Sequence, residues 1–444
     1  MITDIELKLI REALDFAKKS GAQKASATLS ASSEDLVATL NGDIDRITRC
    51  QDRSLSLCLF VDGRFGSFST NKLEMNALRD FILKAIETVR MLAEDPCRDL
   101  ADPSRTCKTA LKGDELGAVD PVRAGITPEM RRQAALDASV FSTPTPPEYK
   151  IVSEEGEYSD SIYEVALMDT NGLFCRQTET SFDYGVEITI EAGGEKYSGY
   201  AWDSWSHSGD LDSAACGRLA LEKAVAQIGS EPAESGKYTM VIDRECASRA
   251  ISPVLRALSG YQIQQNNSFL MDSIGRKIFP DGLTVLDDPH IRGNVCSKLF
   301  DSEGAATAPH AIIEGGVVKE YFINTFIGNK LGMVPTVEDP VRPHILPYPQ
   351  EGLDRAAILK LCGDGILVTD FNGGNSNPAT GDFSYGIEGF LFKDGRIVRP
   401  VSEMLVTGNF LTLWQGFKAA GSDARQCMSK LVPTLAFENV DFSG

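Results

Sequence analysis

Asn372-Gly-Gly-Asn-Ser-Asn-Pro-Ala-Thr-Gly-Asp-Phe-Ser384 is the stretch on which the fold of this chain turns. Gly373-Gly374 lets the backbone bend through conformations that other residues resist. Asn377-Pro378-Ala379-Thr380-Gly381 is a tight turn whose side chains can bond nearby backbone. By composition the stretch joins two strands in a hairpin. A groove that holds a peptide between such strands is the alternative reading. Two other segments share this character: 268–279, and 299–306 with its continuation through 312–319 and 329–332, which includes the pair Gly315-Gly316. They make the chain from about Tyr238 onward β-rich.

Upstream, helices and strands mix. Leu7, Ile10, Leu14 and Ala17 recur at helical spacing, and Gly21 stands where a C-terminal cap belongs, so Asp4–Ser20 is expected to be a helix. Short strands are expected at Ala25–Ser30, Asp35–Leu40, Ile44–Cys50 and Ser54–Val61, with turns at Asn41-Gly42 and Asp62-Gly63. Asn71–Ala93 reads as a second helix. The Pro-, Asp- and Gly-bearing stretch Glu94–Ile126 reads as a surface connection. Thr127-Pro128 opens a further helix. Strands are expected at Ile162–Asp169, Leu173–Thr180 and Tyr184–Glu191, then a helix over Leu211–Ile228. Gly229–Gly236 is the clearest boundary. Glu245–Leu258 is expected to be a helix interrupted by Pro253.

These readings give an α+β chain. Its expected parts are a helix-packed antiparallel or mixed sheet in 1–105, a helix-plus-strand middle region in 106–231, and a β-rich, barrel-like domain in 232–444. Its 444 residues are too many for one core. An apolar fraction of 42% and a charged fraction of 24% are those of a folded globular protein. A net charge of −19 argues against gripping a phosphate backbone. No apolar run is long enough to cross a membrane, and Met1–Gly21 lacks the apolar segment of a signal peptide. The ten cysteines are scattered without a C-x-x-C pair, as reduced cysteines in the cytoplasm would be.

No chemistry announces itself. The four histidines, His207, His290, His310 and His344, have no second ligand at helical spacing, and the last three each follow a proline. There is no G-x-S-x-G elbow, Walker A loop or dinucleotide-binding glycine pattern.

The three Gly-punctuated segments, with Asp62-Gly-Arg-Phe-Gly-Ser67 and the boundary before Tyr238, resemble the TldD/PmbA family in its TldE/PmbA branch, once described as modulators of DNA gyrase. The resemblance covers nearly the whole chain, and Asn377–Ser384 is its most specific piece. It implies a two-subunit peptidase whose TldD-type subunit carries His-Glu-x-x-x-His on a helix. Counting back from Ser268 puts Ile251, Ser252 and Arg256 at those positions. The resemblance therefore implies no catalytic residue, metal or cofactor in this chain, with zinc in a TldD-type partner. Further expectations are a dimer, an unfolded peptide substrate, and a groove lined by Asp301, Glu303, Gly304, Asn377, Thr380, Gly381 and Asp382. An autonomous metallopeptidase and a gyrase-binding regulator are the alternatives.

Overall fold

A computed structural model describes all residues, 1–444. Its first half consists of α1 (Asp4–Lys19), β1 (Lys24–Leu40), β2 (Asp43–Val61), β3 (Arg64–Thr70), α2 (Met75–Val89), α3 (Pro128–Asp137), β4 (Lys150–Asp169), β5 (Phe174–Ala192), β6 (Glu195–Trp205) and α4 (Ser213–Ala226). The expected hydroxyl cap on α3 holds, with the Thr127 hydroxyl accepting the Met130 amide, and α1 carries in addition a reciprocal capping box of Thr3 and Glu6.

The strands differ from expectation in length. Ala25–Ser30 and Asp35–Leu40 are one strand of 17 residues, Ile44–Cys50 merges with Ser54–Val61, and Leu173–Thr180 merges with Tyr184–Glu191. The polar stretch Ser30–Asp35 looks like a break, yet its backbone pairs with β2 on one side and β4 on the other. Two continuous ladders override weak local strand preference.

All six strands form a single sheet in the order β3-β2-β1-β4-β5-β6, curled along its length. The regions 1–105 and 106–231 therefore share one sheet and differ in their cores. Alternate residues of β1 supply both cores from one face. Ala25, Ala27, Leu29 and Ala31 pack with α1 and α2, and Val37 packs with α3 and α4. On the other face, Leu167 and Cys175 meet Leu299 and Phe300 of the second half. The connection 94–126 is irregular apart from one tight turn, and part of it lies against β5. The amides of Arg176, Thr178 and Thr180 donate to Ala110, Gly113 and Ala118.

The second half comprises β7 (Gly236–Ile242), α5 (Ser248–Ala257), α6 (Gly260–Gln264), β8 (Val285–Asp287), β9 (His310–Glu314), β10 (Val317–Val318), α7 (Thr325–Leu331), β11 (Pro343–Ile345), α8 (Arg355–Cys362), β12 (Gly365–Ser376), β13 (Asp382–Lys393), β14 (Arg396–Asn409), α9 (Phe410–Gln415), β15 (Phe417–Ala420) and β16 (Leu435–Ser443). Strands β14-β13-β12-β7-β16 run side by side, and β16 pairs back onto β14 at Leu405–Thr407. That pairing closes the expected barrel with five strands. Helix α5 packs into its core, where Ile251 and Val254 join Met240, Ile387, Val406 and Phe437. Pro253 does not interrupt α5. Burial on both sides of the proline outweighs the one hydrogen bond its missing N–H removes. The four short strands β10-β9-β8-β11 form a separate small sheet.

Candidate functional site

Helix α5 is where a metal motif would stand, and its three positions diverge. Ile251 is fully buried among apolar side chains, Ser252 is half-buried, and Arg256 is exposed. No three His, Cys, Asp or Glu side chains converge anywhere at ligating distance. The residues of α5 do not fit a zinc ion: an aliphatic core residue, a hydroxyl and a cation offer neither the donors nor the charge.

The histidines serve locally. His207 Nδ1 lies 2.9 Å from Ser206 Oγ, and His290 Nε2 lies 2.9 Å from Thr307 Oγ1. His310 Nε2 is 2.6 Å from Glu320 Oε1, a close charge contact that is poorly aligned for a hydrogen bond. Burial pulls this imidazole down, but Glu320, the Ala308 carbonyl and Asp287 together raise it to about 9.

The residues expected to form one groove fall into two sets. Asp301 Oδ1 accepts the amides of Glu303 and Ala305, and Glu303 accepts the amide and hydroxyl of Thr325 at the start of α7. Gly304 packs on Leu167 of β4 and Leu173 of the turn between β4 and β5. Burial, helped by Glu303 and Glu338, pushes the Asp301 carboxyl up to about 6. In the second set, Asn377, Thr380, Gly381 and Asp382 form the β12–β13 turn. The Asn409 amide donates to Thr380 O and Asp382 Oδ1, and Gly381 lies against Phe269. No hydrogen bond joins the two sets. The first reaches α6 through Asn324 and Tyr261, and the second meets Phe269 beyond its other end.

The large concavity lies elsewhere, between the two halves. It is a cleft of about 900 Å3. One wall is β6 and α4, with Tyr200, Trp202, Lys223 and Gln227. The other is the outer face of the barrel with the β7–α5 turn, including Asp243, Glu245, Asp370, Glu388, Phe390 and Val398. Some of its charges are matched, and Arg244 and Arg399 on the same lining donate to backbone carbonyls. Asp243 pairs with Arg355 at 2.7 Å, Glu245 pairs with Lys223, and Arg425 stacks over the Trp202 ring at 4.8 Å. Asp370 and Glu388 are not matched. They stand directly opposite each other on β12 and β13, and neither forms an ion pair. Burial raises the Glu388 carboxyl, the Asn372 amide lowers it, and Asp370 raises it further. A smaller hollow beside Met1, Gln51 and Arg53 gathers no such set of groups.

Sequence reasoning does not find this cleft. Both acids sit in otherwise apolar strands, Ile366-Leu-Val-Thr-Asp-Phe371 and Ile387-Glu-Gly-Phe-Leu-Phe392. Strand alternation could have marked Glu388, next to core-facing Ile387, as facing out of the barrel, but it puts Asp370 on the face of Ile366 and Val368, because the bulge after Val368 cannot be read from the sequence. Nothing local indicates that β6 and α4 face them.

A closed barrel wrapped on one buried helix and joined to a curled six-stranded sheet is a scaffold this chain shares with known proteins. Residues 126–228 match the PmbA/TldA metallopeptidase central domain, and residues 235–444 match the PmbA/TldA metallopeptidase C-terminal domain. The chain belongs to the PmbA/TldD family. It is similar to metalloprotease PmbA of Escherichia coli O157:H7, with 26% identity over 97% of this chain and 96% of that one. A Bacteroides thetaiotaomicron structure described as a candidate modulator of DNA gyrase is 38% identical, with a TM-score of 0.95 over the full length of both chains. TldE from Thermococcus kodakarensis shares the fold at 18% identity, with a TM-score of 0.85 over 98% of this chain and 100% of that one. No helix is long and apolar enough to cross a membrane.

Proposed function

We propose that this chain is the non-catalytic subunit of a TldD/TldE-type metalloprotease complex acting on unfolded polypeptide, with zinc and the peptide-bond chemistry in a TldD-type partner. One observation carries the reading: Ile251, at the position of the first motif histidine, is sealed in the barrel core. A metal-bound water needs donors and a base at fixed geometry, and their removal is not compensated piecemeal. The chain supplies interface and groove to the complex, and it associates both with itself and with the partner through its C-terminal domain. It works in the cytoplasm.

The name metalloprotease carried by the Escherichia coli relative favours a second reading, an autonomous peptidase with a different site. One experiment separates the two. The chain alone, the partner alone and the mixture are assayed on an unfolded polypeptide with and without chelator, while light scattering gives their masses. The expected result is no cleavage by this chain alone, chelator-sensitive cleavage by the mixture, and a dimer in each case. The triple variant Ile251→His, Ser252→Glu, Arg256→His should still bind no zinc by elemental analysis. Chelator-sensitive cleavage by the isolated chain, lost on replacing one of its own four histidines, would overturn the proposal.

A further inference from the structure

The geometry points to a substrate class for the cleft between the two halves: an extended polypeptide segment that seats a lysine or arginine side chain between Asp370 and Glu388. This rests on the reading of the chain as a peptide-handling subunit, and it specifies which peptides that subunit holds.

Residues directly opposite on antiparallel strands have Cβ atoms roughly 5 Å apart, and like charges there destabilise the sheet. A fold does not need two carboxylates in that register, half-buried in one case, without a cation beside them. The neighbouring acids do have cations: Asp243 has Arg355, and Glu245 has Lys223. Asp370 and Glu388 are the two acids of the cleft set directly against each other; Arg244 and Arg399 on the same lining donate to backbone carbonyls of Asp423, Glu231 and Pro232 and not to these carboxylates. A divalent ion does not suit them, because no third ligating side chain converges on the pair. An ammonium or guanidinium group does, since it donates to two carboxylates without a fixed coordination shell.

A second observation is independent of the acids. Gln227 lines the same cleft and is only 8% exposed, yet its amide oxygen has no hydrogen-bond partner. A buried polar atom left unpaired costs on the order of 1–3 kcal/mol. A rotation of the Gln227 amide toward the cleft lets a peptide N–H held there satisfy it. The shape suits an extended segment. Lys223 Nζ donates to Tyr200 O at 2.8 Å and Arg425 donates to Trp202 O at 2.6 Å, so the edge of β6 away from β5 lies along this wall, with those two carbonyls already engaged by side chains that a peptide strand would displace. On an antiparallel strand the amides of those residues point the same way. Tyr200, Trp202, Phe390 and Val398 offer apolar surface for the methylene stem of a basic side chain. The net charge of −19 draws such a segment in from solution.

The test is binding of short, unfolded, fluorescein-labelled peptides by anisotropy, using the full chain alone and with its partner. Three peptides differ only in carrying lysine, glutamine or glutamate. The variant is Asp370→Asn with Glu388→Gln, isosteric and able to keep the bonds to Phe371 N and Asn372 Nδ2. Glu12→Gln with Asp15→Asn removes the same charge from exposed positions of α1. The lysine peptide should bind best, and weaken as salt rises. The cleft variant should lose roughly tenfold in affinity for it, while the α1 variant keeps nearly all. The melting temperature of the cleft variant should stay level or rise, because the repulsion between strands is relieved; a misfolded variant would show the reverse. Binding indifferent to peptide charge and to the cleft variant overturns this assignment and leaves the peptide-handling role standing. Absence of binding to any peptide, with or without the partner, overturns both.

Discussion

Replacing Asp301 by Asn isolates the electrostatic cost stored in the segment that the sequence singles out. Asp301 lies beside Glu303 and Glu338, and its carboxyl is raised from the ordinary 3.8 to about 6, chiefly by burial. A carboxyl whose folded value is raised favours the folded state when protonated. Its contribution is most favourable below pH 3.8 and is lost as pH rises through 6. The rise amounts to roughly two pH units, on the order of 3 kcal/mol of destabilisation at pH 8, about half of it present by pH 5. Asparagine carries no charge at either pH. Its Oδ1 can still accept the amides of Glu303 and Ala305, at 3.0 and 2.9 Å, but its NH2 group cannot accept the Glu338 amide that Oδ2 accepts at 3.3 Å. That loss costs on the order of 1 kcal/mol at any pH. It cancels when the effect of the substitution at pH 5 is subtracted from its effect at pH 8. Urea unfolding of both proteins at the two pH values should therefore show Asp301→Asn gaining, relative to the native chain, on the order of 1.5 kcal/mol between pH 5 and pH 8. A difference that is the same at both pH values would refute the assignment of a raised carboxyl to Asp301.

Two further outcomes follow from single contacts. At Gly199→Ala the new Cβ would stand 2.1 Å from Ala220 O and 2.5 Å from Ala224 N, both backbone atoms of α4. The helix must shift, and urea unfolding should show a loss of about 1–3 kcal/mol, against almost none for Gly209→Ala, which meets nothing within 4 Å. His310 is raised from 6.5 to about 9, so its stabilising charge is fully present below pH 6.5 and fades as pH rises through 9. Between those limits the native chain should lose stability relative to His310→Gln, by up to on the order of 3 kcal/mol in urea titrations; parallel curves for the two proteins would count against the Glu320 contact.

Features carried by a few neighbouring residues are legible in the sequence alone. Asn41 and Asp62 both adopt left-handed backbone (φ 52° and 51°) ahead of a glycine, the turns that Asn41-Gly42 and Asp62-Gly63 announce. Thr3 and Thr127 cap the helices they precede. The polar break at 229–236 separates the halves, and the string of Gly-punctuated strands beyond it becomes the barrel. The candidate site is not legible in this way: the resemblance sets Ile251 and Arg256 at motif positions, a reading of single positions on one helix that says nothing of a cleft between the halves.

Tertiary structure decided what depends on distant partners. The polar middle of β1 remains strand because ladders on both sides hold it, and one of those partners lies more than 100 residues away in β4. Asp301 and Thr380 belong to similar-looking segments, but one packs on the curled sheet and α7 and the other on Phe269 and Asn409. The cleft arises because α4 and β6 come to face β12 and β13, and the register that sets Asp370 against Glu388 is fixed by a bulge between Val368 and Asp370. Turns and caps are local energies, fixed by residues next to one another in the chain. Which faces meet is settled by burying all apolar surface at once, a condition on the whole chain, so the site that forms between two halves appears only when both are folded and packed.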